Sequence, residues 1–118
     1  MRILAFLSVF FFSVTARAET IRIAFIDPLS GPAVAVTQNG LNHFRFMAER
    51  LSNTKTQFEV TGYDNRLSPQ ETLIQAQKAI DAGIRILAQG NGSSAAAALA
   101  DFVWKHNGAG PARSVIYL

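Results

Sequence analysis

Ile84-Arg85-Ile86-Leu87-Ala88-Gln89-Gly90-Asn91-Gly92-Ser93-Ser94, with the alanine-rich run that follows to Leu99, decides the fold. Ile84 to Ala88 is apolar at all but one position and reads as a buried strand. Gln89 to Gly92 carries two glycines and reads as a loop. Ser93 then opens a helix whose first turn holds two hydroxyls. A strand passing through a short glycine loop straight into a helix is a building step of an α/β sheet. It leaves the unpaired N–H groups of a helix N-terminus beyond the strand's carboxyl end, and such an end attracts a carboxylate or a phosphate.

The flanking segments repeat that step. Upstream, Ser68 is placed as an N-cap, with Pro69 at the first helical position and Glu71 three residues after the cap, a capping box plus a favoured proline. Leu73, Ala76, Gln77 and Ile80 set this helix's apolar face, and Gly83 suits the residue just past its end. Before it, Gln57 to Tyr63 reads as a strand, with Phe58 and Val60 on one side and Glu59 and Thr61 on the other. Earlier still, a helix from about Thr37 to Leu51 shows Leu41, Phe44, Ala48 and Leu51 at helical spacing, widened by Phe46 and Met47. Thr20 to Ile26 is a near-continuous apolar run, as in buried parallel strands, and Asp27-Pro28-Leu29-Ser30-Gly31-Pro32 breaks it. Downstream of Ser94 the helix runs to about His106 with Leu99, Phe102 and Val103 inward. Asn107 to Pro111 turns, and Ser114 to Leu118 opens a fourth strand.

The order β-α-β-α-β-α-β predicts an α/β fold, a partial doubly wound parallel sheet with right-handed crossovers. Ligands in such folds sit beyond the strands' carboxyl ends. The loops there are Asp27–Val36, Tyr63–Ser68 and Gln89–Ser94. A four-stranded sheet with open edges buries little core, so the chain reads as the front part of a longer protein.

Residues 1–18 stand apart. Arg2, the apolar run Ile3 to Val14, and the small residues Ala16 and Ala18 fit a cleavable secretion signal cut after Ala18. The run falls short of the about 20 apolar residues a membrane span needs. The 118 residues carry a net charge of +3, with 11 Lys and Arg; two of these, Arg2 and Arg17, lie in the leader, and the other nine face eight Asp and Glu. The remainder is near neutral and holds no basic run, so no nucleic-acid partner is expected. The absence of cysteine excludes disulfides and thiolate metal sites.

Catalytic patterns are missing. Gly90-Asn91-Gly92 lacks the third glycine of a dinucleotide loop and no Walker lysine follows. His43 and His106 have no paired carboxylate at ligand spacing, and no Ser-His-Asp set or metal cluster is visible. The expectation is a receptor with no cofactor, no metal and no catalysis. The candidate ligand-binding residues are Ser93, Ser94, Ser30, Gly31 and Asp64. Each has a plainer role open to it: Ser93 suits an N-cap, Ser30 and Gly31 a tight turn, and Asp64 an Asx-turn ordering its own loop.

Ile21-Arg22-Ile23-Ala24-Phe25-Ile26, Leu29-Ser30-Gly31-Pro32, Tyr63-Asp64, Ser68-Pro69-Gln70-Glu71, Ala76 to Gly83, Ile84 to Ala88 and Gly92-Ser93-Ser94 occur in that order from Thr20 onward. This series resembles the N-terminal half-lobe of the periplasmic substrate-binding proteins of branched-chain amino acid ABC transporters, which have the type I periplasmic binding fold. The resemblance implies an incomplete N-terminal lobe over residues 19–118. It also implies a periplasmic receptor that closes like a hinge on an amino acid or related small carboxylate and delivers it to an inner-membrane permease. Ser93 falls where the family holds the ligand's α-carboxylate. Val36 stands where the family often has an aromatic residue, and Ser52 to Gln57 is shorter than the family's glycine-rich turn. The family's remaining carboxylate contacts follow strand four and its ammonium-binding residues lie in the second lobe, so this chain alone is not expected to bind an amino acid tightly. The alternative is a sensory or regulatory receptor of the same fold for amides, urea or aromatic acids.

Overall fold

The computed structural model describes residues 17–118. The signal segment expected over residues 1–18 lies almost wholly outside the described residues. Four strands, β1 (Glu19–Asp27), β2 (Thr56–Asp64), β3 (Ile86–Ala88) and β4 (Ile116–Tyr117), alternate with three helices, α1 (Val34–Leu51), α2 (Pro69–Asp81) and α3 (Ser93–Asn107). Single 3-10 turns at Gly31–Ala33 and Pro111–Arg113 precede α1 and β4. All strand pairs are parallel, in the order β2-β1-β3-β4. The chain leaves β1 toward one side to form β2 and returns to the other side to form β3. The strand order therefore switches at β1, and a crevice opens beyond the carboxyl ends of β1 and β3. Register places Asp27 beside Asp64 at the ends of β1 and β2.

Helices cover both faces. Against α2 and α3 the sheet contributes Ala24, Ile26 and Leu87, which meet Ala76, Ile80, Leu99 and Val103. Against α1 it contributes Phe25 and Ala88, which meet Leu41, and Phe44 leans on Phe25 with ring centroids 5.0 Å apart.

Local chemistry explains the element ends. Ser68 Oγ accepts from Glu71 N at 3.2 Å, as an N-cap should. The reciprocal half of the expected capping box is not made, because the Glu71 carboxylate accepts from Gln75 Nε2 at 2.7 Å. At the other end of α2, Gly83 takes φ +83. Gly83 N donates to Ile80 O and Ile84 N to Ala79 O, a Schellman cap. That cap uses Ile84, so β3 begins at Ile86 rather than at the expected Ile84. β4 is shortened similarly: the Asn107 side chain bonds both backbone groups of Val115, at 2.8 and 2.9 Å.

Two apolar faces differ from expectation. On α2, Thr72 and Ala79 are buried with Ala76 and Ile80, whereas Gln77 is exposed and bonds Asp81. On α1, Thr37, Leu41 and Ala48 are buried, while Phe46, Met47 and Leu51 are exposed. α1 lies over β2 and β1, and its outer flank meets no other element among the described residues.

Candidate functional site

Three loops meet at the carboxyl ends of the strands, and side chains of the strand ends hold them. Asp27 ends β1 with no exposed surface. Its Oδ1 accepts from Gly90 N at 3.2 Å and Asn91 N at 2.8 Å, and its Oδ2 from Asn91 Nδ2 at 2.7 Å. A buried carboxylate must be hydrogen-bonded, and here the loop after β3 supplies the donors. A side chain at Gly90 would stand 3.3 Å from Asp27 Oδ2, so glycine lets the loop approach the carboxylate without displacing it. Gln89, the first residue of that loop, fastens it from within and is anchored from β4: Nε2 donates to Asn91 O and Gly92 O, while Tyr117 Oη donates to Oε1 at 3.1 Å. Burial, with the Asp27 charge, pushes the Tyr117 phenol above its ordinary value of 10.0. Sequence reading passed over Asp27; the signal available was an acidic residue closing an apolar strand.

Gly92, with φ +92, is the N-cap of α3, and no side chain caps this helix. Ser93 is therefore not the cap. It is the first residue of α3, exposed like Ser94. The first helical hydrogen bond at this end runs from Ala96 N to Gly92 O at 2.9 Å. The end of α3 can accept an anion on main-chain N–H groups flanked by two hydroxyls.

The other two loops are tied by Asp64. Its Oδ1 accepts from Leu29 N and Arg66 N, both at 2.9 Å, and the Ser30 hydroxyl lies near enough to favour its charged form. Burial opposes ionisation of Asp64, but the Ser30 hydroxyl and the bonds from Arg66 N and Leu29 N, with the Arg66 charge, hold its carboxyl below the ordinary 3.8. The Asx-turn through Arg66 is thus present. Asn65, fully buried, donates to Thr72 Oγ1 at 3.0 Å and accepts from Leu67 N at 3.0 Å. These bonds hold Arg66 and Leu67 at φ 51 and 59, left-handed for two successive residues that are not glycine. Neither residue was singled out from sequence, because nothing in their residue types announces that conformation.

Ser30 and Gly31 form one rim of a crevice of about 290 Å³ whose other walls include Pro28, Pro32, Arg66 and Leu67. Leu67 Cδ1 comes within 3.4 Å of where a side chain on Gly92 would begin, so the crevice abuts the start of α3. The structure therefore brings Ser30 and Gly31 together across from Arg66 and Leu67, while Ser93 and Ser94 lie outside the crevice lining and approach it through Gly92, which Leu67 touches. A larger groove, about 560 Å³, runs between α1 and the edge strand β2 past Arg45, Glu49 and Phe58, away from these loops. Among the described residues no three His, Asp or Glu side chains gather as a metal site, and no helix is long and apolar enough to cross a membrane.

The family model for periplasmic binding proteins matches residues 20–109. A leucine-, isoleucine-, valine-, threonine- and alanine-binding protein from Brucella ovis, in its closed conformation, superimposes with a TM-score of 0.73 at 26% identity, over 85% of this chain and 27% of that one. Two further structures share the fold at 21% identity. One is an ABC-transporter solute-binding protein from Rhodopseudomonas palustris in complex with 3,4-dihydroxybenzoic acid, with a TM-score of 0.66 over 75% of this chain and 25% of that one. The other is a leucine-binding protein from Thermotoga maritima, with a TM-score of 0.64 over 72% and 25%. The chain thus spans about a quarter of the length of these structural neighbours. No curated protein matches it. The family match covers β1 through α3 with every loop of the crevice, and the chain belongs to the periplasmic binding protein family.

Proposed function

We propose that the chain is the ligand-reading front of an exported solute receptor of an ABC uptake system, taking an amino acid, of branched-chain type, or a similar small carboxylate. The observation that carries this reading is the start of α3: an uncapped helix end at the switch point of the sheet. Ser93 and its neighbouring amides hold the ligand's carboxylate, with Ser94 beside them. Neutral donors can satisfy a desolvated carboxylate without a full positive charge. Ser30 and Gly31 form the facing rim, and Asp64 serves the site by holding the backbone of Leu29, next to Ser30.

The structural neighbours support this choice of group. The Brucella protein is named for aliphatic amino acids and the Rhodopseudomonas protein is complexed with an aromatic acid. The chemistry those ligands share is a carboxylate. The receptor is exported through residues 1–18 to the periplasm, passes its ligand to a membrane permease and catalyses nothing. Its energetics are those of closure, in which ligand binds the closed state better and shifts the population toward it.

The test is an NMR titration of the chain with leucine, 3,4-dihydroxybenzoate and leucinol, following the Ser93 and Ser94 amides. Leucine and dihydroxybenzoate move both amides, with only millimolar affinity because one wall of a cleft leaves ligand in contact with water. Leucinol, which lacks the carboxylate, leaves them still. Equal shifts with leucinol sink the carboxylate reading. Micromolar leucine binding by calorimetry sinks the claim that these residues are one wall of a larger cleft.

A further inference from the structure

The outer flank of α1 carries large apolar side chains that the described residues leave open. Val36, Phe44, Met47 and Leu51 are each between 37% and 67% exposed. With Gly40 they recur every three or four residues and make one stripe along the helix. A stripe of that spacing is the seam one helix offers to another. The apolar surface continues onto the sheet. Ala88 packs with Phe25 and Leu41 on the α1 side, so Ile86 points the same way, and so does Ile116, its partner in register. α1 packs mainly on β2, and Ile116 and Leu118 are more than half exposed. A contiguous apolar patch of this kind marks an interaction surface.

The stripe is self-complementary about its midpoint. Two copies of α1 laid antiparallel, with a two-fold axis between His43 and Phe44, set Leu51 against the partner's Val36 and Phe44 against the partner's Phe44. Met47 then falls on the partner's Gly40. Gly40 is the gap in the row, because the Phe25 ring lies 3.2 Å from where its side chain would begin, and a flexible methionine suits such a gap. A parallel pair would instead set gap against gap and bring together the two Arg50 side chains that border the stripe. Antiparallel packing holds those charges about 20 Å apart along the axis, beyond the screening distance of about 8 Å in physiological salt. Phe46, with Arg50 5.7 Å from its ring centroid, lies on the side of α1 turned away from its own sheet and is 55% exposed. In the antiparallel pair that side faces the partner's sheet, where Ile116 and Leu118 lie bare. One arrangement thus covers both exposed groups.

We propose that this face joins two copies of the chain in a two-fold dimer, α1 packed antiparallel against the partner's α1. The carboxylate reading of α3 plays no part in it, and either can fail alone.

The test is sedimentation equilibrium of the exported chain, followed by thiol crosslinking. The chain sediments as a dimer when concentrated and dissociates on dilution, with a dissociation constant on the order of 10–100 μM, as suits a small interface. Met47→Glu weakens the dimer at least tenfold while the far-UV circular dichroism stays that of the wild type. Trp104→Ser, which removes an exposed apolar side chain on the opposite face of the sheet, leaves the dimer unchanged. The chain has no cysteine, so single introduced thiols report the packing. With a crosslinker of about 10 Å, the separation of packed helices, His43→Cys links copy to copy. Leu51→Cys alone does not, since two such positions lie about 22 Å apart along the axis, but it links to Val36→Cys when the two variants are mixed. A monomer at every concentration overturns the proposal and leaves the face to another part of the receptor. A dimer indifferent to Met47→Glu overturns it as well. Self-linking at Leu51→Cys without linking at His43→Cys means parallel helices and overturns the packing proposed.

Discussion

α2 and α3 start at the same edge of the same sheet, each after a parallel strand, yet they start differently. α2 is closed by side chains: Ser68 Oγ accepts from Glu71 N, and Pro69 removes one donor altogether. α3 starts on Gly92 with no side-chain cap. The fold gives α2 a local cap and leaves the α3 end open, while the loop before α3 is fixed from elsewhere by Asp27 and, through Gln89, by Tyr117. Helix ends that only support the fold can be capped cheaply from within. An end kept free for a ligand must be positioned by neighbours that do not occupy its own donors.

The largest expected effect comes from removing that distant support. Asp27→Ala deletes three hydrogen bonds to a buried carboxylate and leaves the Gly90 and Asn91 amides unpaired. The expected loss is about 3–5 kcal/mol, a large share of a small domain's stability, read by urea unfolding. Asp27→Asn keeps an acceptor for the two amides and is expected to cost clearly less. If both variants cost under about 1 kcal/mol, the size of an ordinary neutral hydrogen bond, the α3 loop is held by something other than Asp27. Next in size is Gly92→Ala. A side chain at φ +92 is strained whatever room surrounds it, and the expected cost is about 1–2 kcal/mol.

The same two helix ends mark what sequence can and cannot announce. Ser68-Pro69 and Glu71 identify the start of α2 because a side-chain cap is local: all its partners lie within one turn. Gly83 identifies its end for the same reason. The apolar runs of β1 and β3 identify buried parallel strands, and with their order the sheet follows. Gly92-Ser93-Ser94 identifies where α3 begins, though not that Gly92 rather than Ser93 is the cap. Asp27 is different. Its carboxylate meets Gly90 and Asn91 more than sixty residues away, and only the pairing of β1 with β3 brings them together. Arg66 and Leu67 were equally silent, since their left-handed backbones are imposed by the side chains of Asp64 and Asn65. The outer flank of α1 shows the limit of periodicity: Phe46, Met47 and Leu51 repeat at helical spacing, but spacing does not say which flank another element covers.

A paired substitution tests the contrast directly. Ser68→Ala removes a cap and is expected to cost about 1 kcal/mol. Ser93→Ala removes a hydroxyl from an exposed first-turn position that caps nothing, and its expected cost is within about 0.5 kcal/mol. Its effect should appear instead as a weaker response of the Ser94 amide to leucine. Equal costs for the two variants would erase the distinction between a structural and a free helix end.

The smallest expected effect concerns Asp64, which ties the two capped or turned loops and not α3. Its native carboxyl is held below 3.8, so above pH 3.8 it is charged in both folded and unfolded chains and its bonds contribute fully. As pH falls below 3.8 the unfolded chain takes up the proton first, and that contribution is lost as pH passes through the lower native value. Asp64→Asn keeps an Oδ1 to accept from Leu29 and Arg66 but has no charge to lose. The variant should therefore melt below the wild type at pH 7, and the gap should close as pH is lowered past the native value. A gap that stays constant between pH 7 and pH 2 would mean that the tie depends on geometry alone. The ionised state of Asp64, and with it the hold on Leu29 beside the crevice rim, would then not be what separates this loop pair from the open end of α3.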